Sequence, residues 1–173
     1  MELLRVASFV AYLAALVVFA AAALFGMTRG RGITGSISMQ GSIGTLLQLG
    51  AAVLVTRALP DEPLRPLPWE LAGMLLAPLS AWLFVWAQVP AARSDGGLVT
   101  DAAYAWVRHP MYLAFLGLLL ATGFAISARW LLLGAVGLYV AGTELRVAVE
   151  EAGLAGYADY RSRTRWAYLP GLR

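Results

Sequence analysis

Long uncharged apolar runs, parted by short polar stretches, set the pattern of this chain. The first, Val6 to Phe25, holds no charge over 20 residues, long enough as a helix to cross a hydrocarbon core of about 30 Å. Arg5 ahead of it and the Ala20–Ala23 run near its end allow a cleavable signal peptide. The run is longer than an ordinary signal core and more spans follow, so a retained helix is expected. Gly26 to Gly44, rich in Gly, Ser and Thr, reads as a loop. A second span follows from about Ile43 to Leu59, closed by the helix-breaking stretch Pro60-Asp-Glu-Pro-Leu-Arg-Pro-Leu-Pro68. The third runs from Trp69 to about Val89, and Pro90 to Thr100 reads as the next loop. The fourth covers Met111 to about Ser127, a turn falls at Arg129-Trp130, and the fifth extends from Trp130 to about Val149. The pattern predicts an all-α polytopic membrane protein with about five transmembrane helices and a short C-terminal helix. It is read as one membrane domain over 1–173, with a two-helix hairpin and loops at 1–68 and a functional core at 69–173.

Composition agrees. The chain is 60% hydrophobic and only 13% charged, with a mean hydropathy of +0.71, far from the charged surface of a soluble domain. It has no cysteine, so disulfides, thiolate nucleophiles and cysteine metal sites are excluded. A single histidine excludes bis-histidine haem and multi-histidine zinc sites, and no metal is expected. All 13 basic side chains are arginines, which suits anionic headgroups better than nucleic acid. With five spans and the C-terminus inside, Arg29, Arg31, Arg93, Arg108, Arg146, Arg161, Arg163, Arg165 and Arg173 lie on the inner side, against Arg5, Arg57, Arg65 and Arg129 outside. Nine against four favours a cytoplasmic C-terminus.

The candidate chemistry sits on that side. Tyr104-Ala-Trp-Val-Arg-His-Pro-Met-Tyr112 carries the only histidine, directly before a proline suited to the first turn of a helix. Arg108 and the free N–H groups of that turn form a positively polarised spot suited to a carboxylate. Arg108 and Tyr112 are four residues apart, and His109 and Tyr112 three, so they share a helix face. A second cluster follows at the end of the fifth span and in the tail: Glu144, Arg146, Glu150, Glu151, Tyr157, Tyr160 and Arg161. Ionisable groups at a membrane boundary are costly unless hydrated, paired or used.

These segments resemble a known family. Leu98-Val-Thr, Tyr104, Val107-Arg-His-Pro-Met-Tyr112, then Glu144-Leu-Arg-Val-Ala-Val-Glu-Glu151, Tyr157-Ala-Asp-Tyr160 and Leu169-Pro-Gly171 look like the isoprenylcysteine carboxyl methyltransferases, relatives of the phospholipid methyltransferases. The resemblance covers about Arg93 to Arg173. Two features depart from it: Ala102-Ala103-Tyr104 stands where the family usually has Gly-Pro-Tyr, and the link from Glu151 to Tyr157 is short and lacks Phe-Gly. The resemblance implies an integral membrane enzyme that binds S-adenosyl-L-methionine near the cytoplasmic surface and methylates a lipid-like or amphipathic acceptor entering from the bilayer. On that expectation Tyr104, Arg108, His109, Tyr112, Glu150 and Glu151 bind the cofactor. Arg108 would take its carboxylate, Glu150 or Glu151 its ammonium or ribose, and His109 a hydroxyl or the amino acid moiety. Tyr104, Trp106 or Tyr112 would pack on adenine or attract the sulfonium. Arg146 or Arg161 would clamp an anionic acceptor, and Glu144 or His109 would act as base for a neutral one. No Gly-x-Gly-x-x-Gly follows a strand, so a Rossmann-type site for the cofactor is excluded.

Plainer roles exist for the same residues. His109 can be a capping residue, Arg108 a headgroup contact, the glutamates a solvated helix end, and the tail arginines anchors to anionic lipid. Two other functions share this frame: a membrane reductase using a nicotinamide cofactor, which usually has Asn-Tyr after Arg-His-Pro where this chain has Met111-Tyr112, and a non-catalytic membrane protein.

Overall fold

The computed structural model of the chain describes residues 10, 14, 15, 17, 18, 21, 39–56, 67–94, 97–126 and 129–169. Among these there are five α-helices, one 3₁₀ turn and no strand. They are α1 (Met39–Thr56), α2 (Leu67–Arg93), the 3₁₀ turn (Ala102–Ala105), α3 (Pro110–Ile126), α4 (Arg129–Gly153) and α5 (Tyr157–Arg163). Val10, Ala14, Ala15, Val17, Val18 and Ala21 are also helical. The rest of the expected first span lies outside the described residues.

The all-α expectation holds for these residues, with changes at several helix ends: α2 begins at Leu67, within the stretch expected to break helices, and α4 takes in the expected turn at Arg129-Trp130 and runs past Val149 to Gly153. The stretch read as a loop to Gly44 is helical from Met39. Its Gly and Ser content suggested a turn, but Thr45 Oγ1 donates back to the Gly41 carbonyl at 3.0 Å, inside the helix. Likewise α2 does not stop at Val89: it runs through Pro90 to Arg93. Pro90 has no N–H to donate and its ring crowds the carbonyl four residues back, but its own carbonyl still accepts, from Ser94 N–H at 3.1 Å. Arg93 in the last turn also complements the negative end of the helix dipole.

α2 and α4 are long and apolar enough to cross a membrane, over Leu71–Arg93 and Leu131–Gly153, while α1 and α3 are shorter apolar helices. Only 33% and 28% of the two long stretches is buried inside the protein, and Leu75, Leu79, Trp82 and Leu133 face outward. Among the described residues, length and composition thus support two candidate spans, fewer than the five expected from hydropathy.

Packing falls into two pairs, α2 with α3 and α1 with α4, joined by lighter contacts of α3 with α4 and α1. The first seam is made of Ala77, Ala81, Phe84, Ala114 and Ala121, with Ala15 buried in the same cluster. The second holds Ala51, Val55, Leu119, Ala135 and Tyr139. Alanine on both sides lets backbones approach closely, which is how apolar helices associate where lipid removes the hydrophobic drive. Backbone meets backbone closely at Gly44 and Gly142: a Cβ on Gly142 would sit 2.5 Å from the Gly44 carbonyl oxygen.

Candidate functional site

Three pieces of chain meet at one end of the bundle: the 3₁₀ turn with the start of α3, the last turns of α4, and the tail from α5 onward. Pro110 opens α3, where its missing N–H leaves no bond unmade. Val107, Arg108, His109 and Pro110 just before and at that start are all buried.

The tail covers them. Arg108 N–H donates to the Trp166 carbonyl and His109 N–H to the Ala167 carbonyl, both at 2.9 Å. Arg108 Nη1 donates to the carbonyls of Thr164 at 3.2 Å and Arg165 at 2.9 Å. Tyr160, buried beneath, donates its hydroxyl to the Tyr104 carbonyl at 2.7 Å. Arg108 is therefore not where the sequence reading put it. Its side chain is 3% open to solvent and turned onto the tail, and the N–H groups of residues 108 and 109 are spent on tail carbonyls. Two bonds from one cation are worth about 1.5–3 kcal/mol each, so the tail claims this arginine ahead of a ligand carboxylate. Its Nε has no hydrogen-bond partner and lies 3.8 Å from Glu151 Oε1.

Beside Arg108 is a first cluster. His109 Nε2 lies 3.1 Å from Glu151 Oε1, and Tyr157 donates its hydroxyl to the same oxygen at 2.7 Å. A second cluster forms one helix face away. Tyr112 donates its hydroxyl to Glu150 Oε1 at 2.5 Å; Arg146 Nε donates to the Tyr112 hydroxyl at 2.8 Å and Nη2 to Glu150 Oε1 at 3.3 Å. The two clusters touch through rings, His109 standing 5.9 Å from both Tyr112 and Tyr168. Glu144 accepts from the Tyr168 hydroxyl at 3.0 Å.

Both glutamates beyond Glu144 are half used. Every contact of Glu150 and Glu151 among the described residues runs to Oε1. Oε2 of each has no described partner, and the side chains stay 29% and 16% open. Glu151, Tyr157, Asp159 and the exposed Arg161 line a shallow cleft that is largely open to solvent.

The phenols here are donors rather than anions. Burial first, and then the charge of Glu150, pushes the Tyr104 hydroxyl above its ordinary acidity range. Burial and the bond to Glu151 raise Tyr157, and burial pushes Tyr160 up to about 12.

Eight of the nine expected site residues gather around these clusters, Tyr104 by its packing under Tyr160 and its nearness to Glu150; Arg161 stands at the cleft rim. Trp106, one of the rings considered for adenine, is 71% exposed. Three contributors escaped the sequence reading: Thr45, Tyr139 and Tyr168. Thr45 accepts from Arg146 at 2.7 Å, and Tyr139 donates to the Tyr112 carbonyl at 2.8 Å. Tyr139 carried a signal, a hydroxyl in an apolar helix that needs a partner. Thr45 carried none, lying at the start of a run read as plain membrane helix.

The chain matches no family model, no curated protein and no solved structure at a significant level.

Proposed function

We propose that the protein is a multi-pass membrane methyltransferase, similar to the isoprenylcysteine carboxyl methyltransferases, that uses S-adenosyl-L-methionine on a lipid-like or small amphipathic acceptor at the cytoplasmic face. The observation that carries this reading is the pair of half-used carboxylates at the end of α4: Glu151, which lines the open cleft with Tyr157, and Glu150, held by Tyr112 one helix face away. The cofactor's cationic amine and its ribose hydroxyls are the groups that free carboxylate oxygens bind.

The residues present fit that cofactor, with one reassignment. Glu150 and Glu151 offer Oε2 to the amine and the hydroxyls, while their Oε1 atoms are fixed by Tyr112, Arg146, His109 and Tyr157. Fixing one oxygen orients the other, so little side-chain freedom is lost on binding. Arg108 acts through the tail, holding Thr164 to Ala167 over the start of α3. Arg161, exposed at the cleft that Glu151 lines, is the cation available for the cofactor's carboxylate. When bound, S-adenosyl-L-methionine supplies an electrophilic methyl group whose in-line transfer leaves a neutral thioether. Arg146 faces the acceptor side: it holds an oxyanion in line, the positioning that a carboxylate nucleophile needs in place of a base. The outward apolar faces of α2 and α4 suit entry of a lipid-like acceptor from the bilayer.

Ultraviolet cross-linking of methyl-labelled S-adenosyl-L-methionine to the detergent-purified protein tests the site. Label is expected in peptides spanning 104–112 or 144–161, chased by excess S-adenosylhomocysteine and lost in Glu150→Ala and Glu151→Ala. Label confined to α1 or α2, or none in a folded protein, sinks the proposal.

A further inference from the structure

The roles proposed so far fall on residues after Arg93, although Thr45 of α1 already touches Arg146. The geometry assigns α1 a part in the site. The guanidinium of Arg146 is held at all three of its nitrogens: Nε donates to the Tyr112 hydroxyl at 2.8 Å, Nη2 to Glu150 Oε1 at 3.3 Å, and Nη1 to Thr45 Oγ1 at 2.7 Å. Tyr112 and Glu150 also hold each other and would move together. Thr45 comes from a different helix and fixes the head against rotation about that pair.

Thr45 is itself fixed. Its proton goes to the Gly41 carbonyl at 3.0 Å, which leaves the oxygen to accept. One turn further along, Gln48 Nε2 donates to Thr143 Oγ1 at 2.9 Å across the same seam, which locks the register of α1 on α4. The neighbouring position makes the arrangement possible. A Cβ on Gly44 would stand 2.7 Å from Arg146 Cγ and 2.6 Å from the Gly142 carbonyl oxygen, so only glycine leaves room for the arginine stem. A polar bond, a second polar bond setting register, and a glycine gap for the same side chain converge on one arginine.

An arginine head carries five N–H donors. Three are used, one on each nitrogen, which leaves one on Nη1 and one on Nη2. The Arg146 side chain is 19% open. We infer that Thr45 is a positioning residue of α1 that aims the two remaining donors of Arg146 at the oxyanion of the methyl acceptor. The hold on Arg146 is read from geometry; what its two remaining donors meet rests on the methyltransferase reading.

The test is nuclear magnetic resonance of protein labelled with ¹⁵N-arginine in lipid nanodiscs, with the Arg146 Nε–H signal assigned by its disappearance in Arg146→Lys. In the wild type that proton is expected to exchange slowly with water. Thr45→Val, which keeps the shape and removes the hydroxyl, is expected to speed exchange about tenfold or more, the scale of one bond to a charged group. Thr45→Ser is expected to restore protection, which a packing role for the threonine methyl would not give. Gly44→Ala keeps the hydroxyl, crowds the arginine stem and is expected to show the same loss, so the result does not hang on one variant folding. Unchanged protection in Thr45→Val, or no rescue by Thr45→Ser, overturns the positioning role. Titration of the same samples with S-adenosylhomocysteine separates the two claims. Binding with unchanged protection removes Thr45 alone; lost protection without binding by the wild type removes the acceptor assignment and leaves the methyltransferase reading refuted.

Discussion

Ala102 carries the clearest backbone strain in the described chain. Its φ of 52° is left-handed, a conformation that costs an L-residue with a Cβ roughly 1–2 kcal/mol. It follows the extended Asp101 and opens the 3₁₀ turn that brings Tyr104 under Tyr160 and toward Glu150. This backbone is one that glycine adopts freely. Ala102→Gly is therefore expected to stabilise the protein by roughly 0.5–1 kcal/mol after the larger entropy of the unfolded glycine chain is subtracted, raising the unfolding midpoint in a calorimetric scan by about 1–4 °C. A lower midpoint would mean that the alanine methyl makes a contact worth more than the strain. Ala102 was expected to depart from the pattern of the family the sequence was read as resembling, but the backbone consequence is visible only in the structure. Arg108 shows the opposite case. Its neighbours in sequence pointed to a ligand, whereas its partners are carbonyls of residues 164 and 165, a contact across the chain that no local pattern encodes.

Among the elements, the tail segment after α5 depends most on distant contacts. The segment is short and α5 spans only seven residues, below the length at which a helix is stable alone, so docking on Tyr160, Arg108 and His109 must hold it. Tyr160 makes that docking sensitive to pH. Burial raises its folded pKa from 10.0 to about 12, so the stability it contributes is full below about pH 10 and is lost as pH rises through 12. The thermal midpoint is expected to stay level up to about pH 10 and to fall above it, and to fall less steeply in Tyr160→Phe. Equal slopes in the two proteins would remove Tyr160 as the alkaline weak point. The helix ends teach a related lesson about legibility. Hydropathy located α3 within a residue or so at each end, because a run from Pro110 to Ile126 without charge admits few alternatives. It misplaced the start of α1 and the end of α2 because Gly44 and Pro90 were taken as breakers. In the folded chain Gly44 serves a helix crossing, and Pro90 keeps the one backbone group its successor needs.

At the scale of the whole molecule, two helix pairs turn apolar faces outward and gather their polar groups at one end. Composition made the first half of that statement readable, since 60% hydrophobic residues with 13% charged ones leave too little polar surface for water on all sides. The second half was readable in part. The Arg-His-Pro stretch and the Glu144–Glu151 segment were expected to converge, and Tyr112 with Arg146 and Glu150, and His109 with Glu151, do meet. The contribution of α1 was not readable, because Thr45 and Arg146 are 101 residues apart and neither sits in a pattern that refers to the other. The central claim is that the half-used carboxylates hold a methyl donor, and the most direct measurement is calorimetric titration of the purified protein with S-adenosylhomocysteine, with NADPH run beside it. Wild type is expected to bind S-adenosylhomocysteine and not NADPH, and Glu151→Gln to bind about tenfold more weakly, roughly 1.4 kcal/mol. Binding of NADPH instead, or of neither nucleotide by a folded protein, would contradict the account.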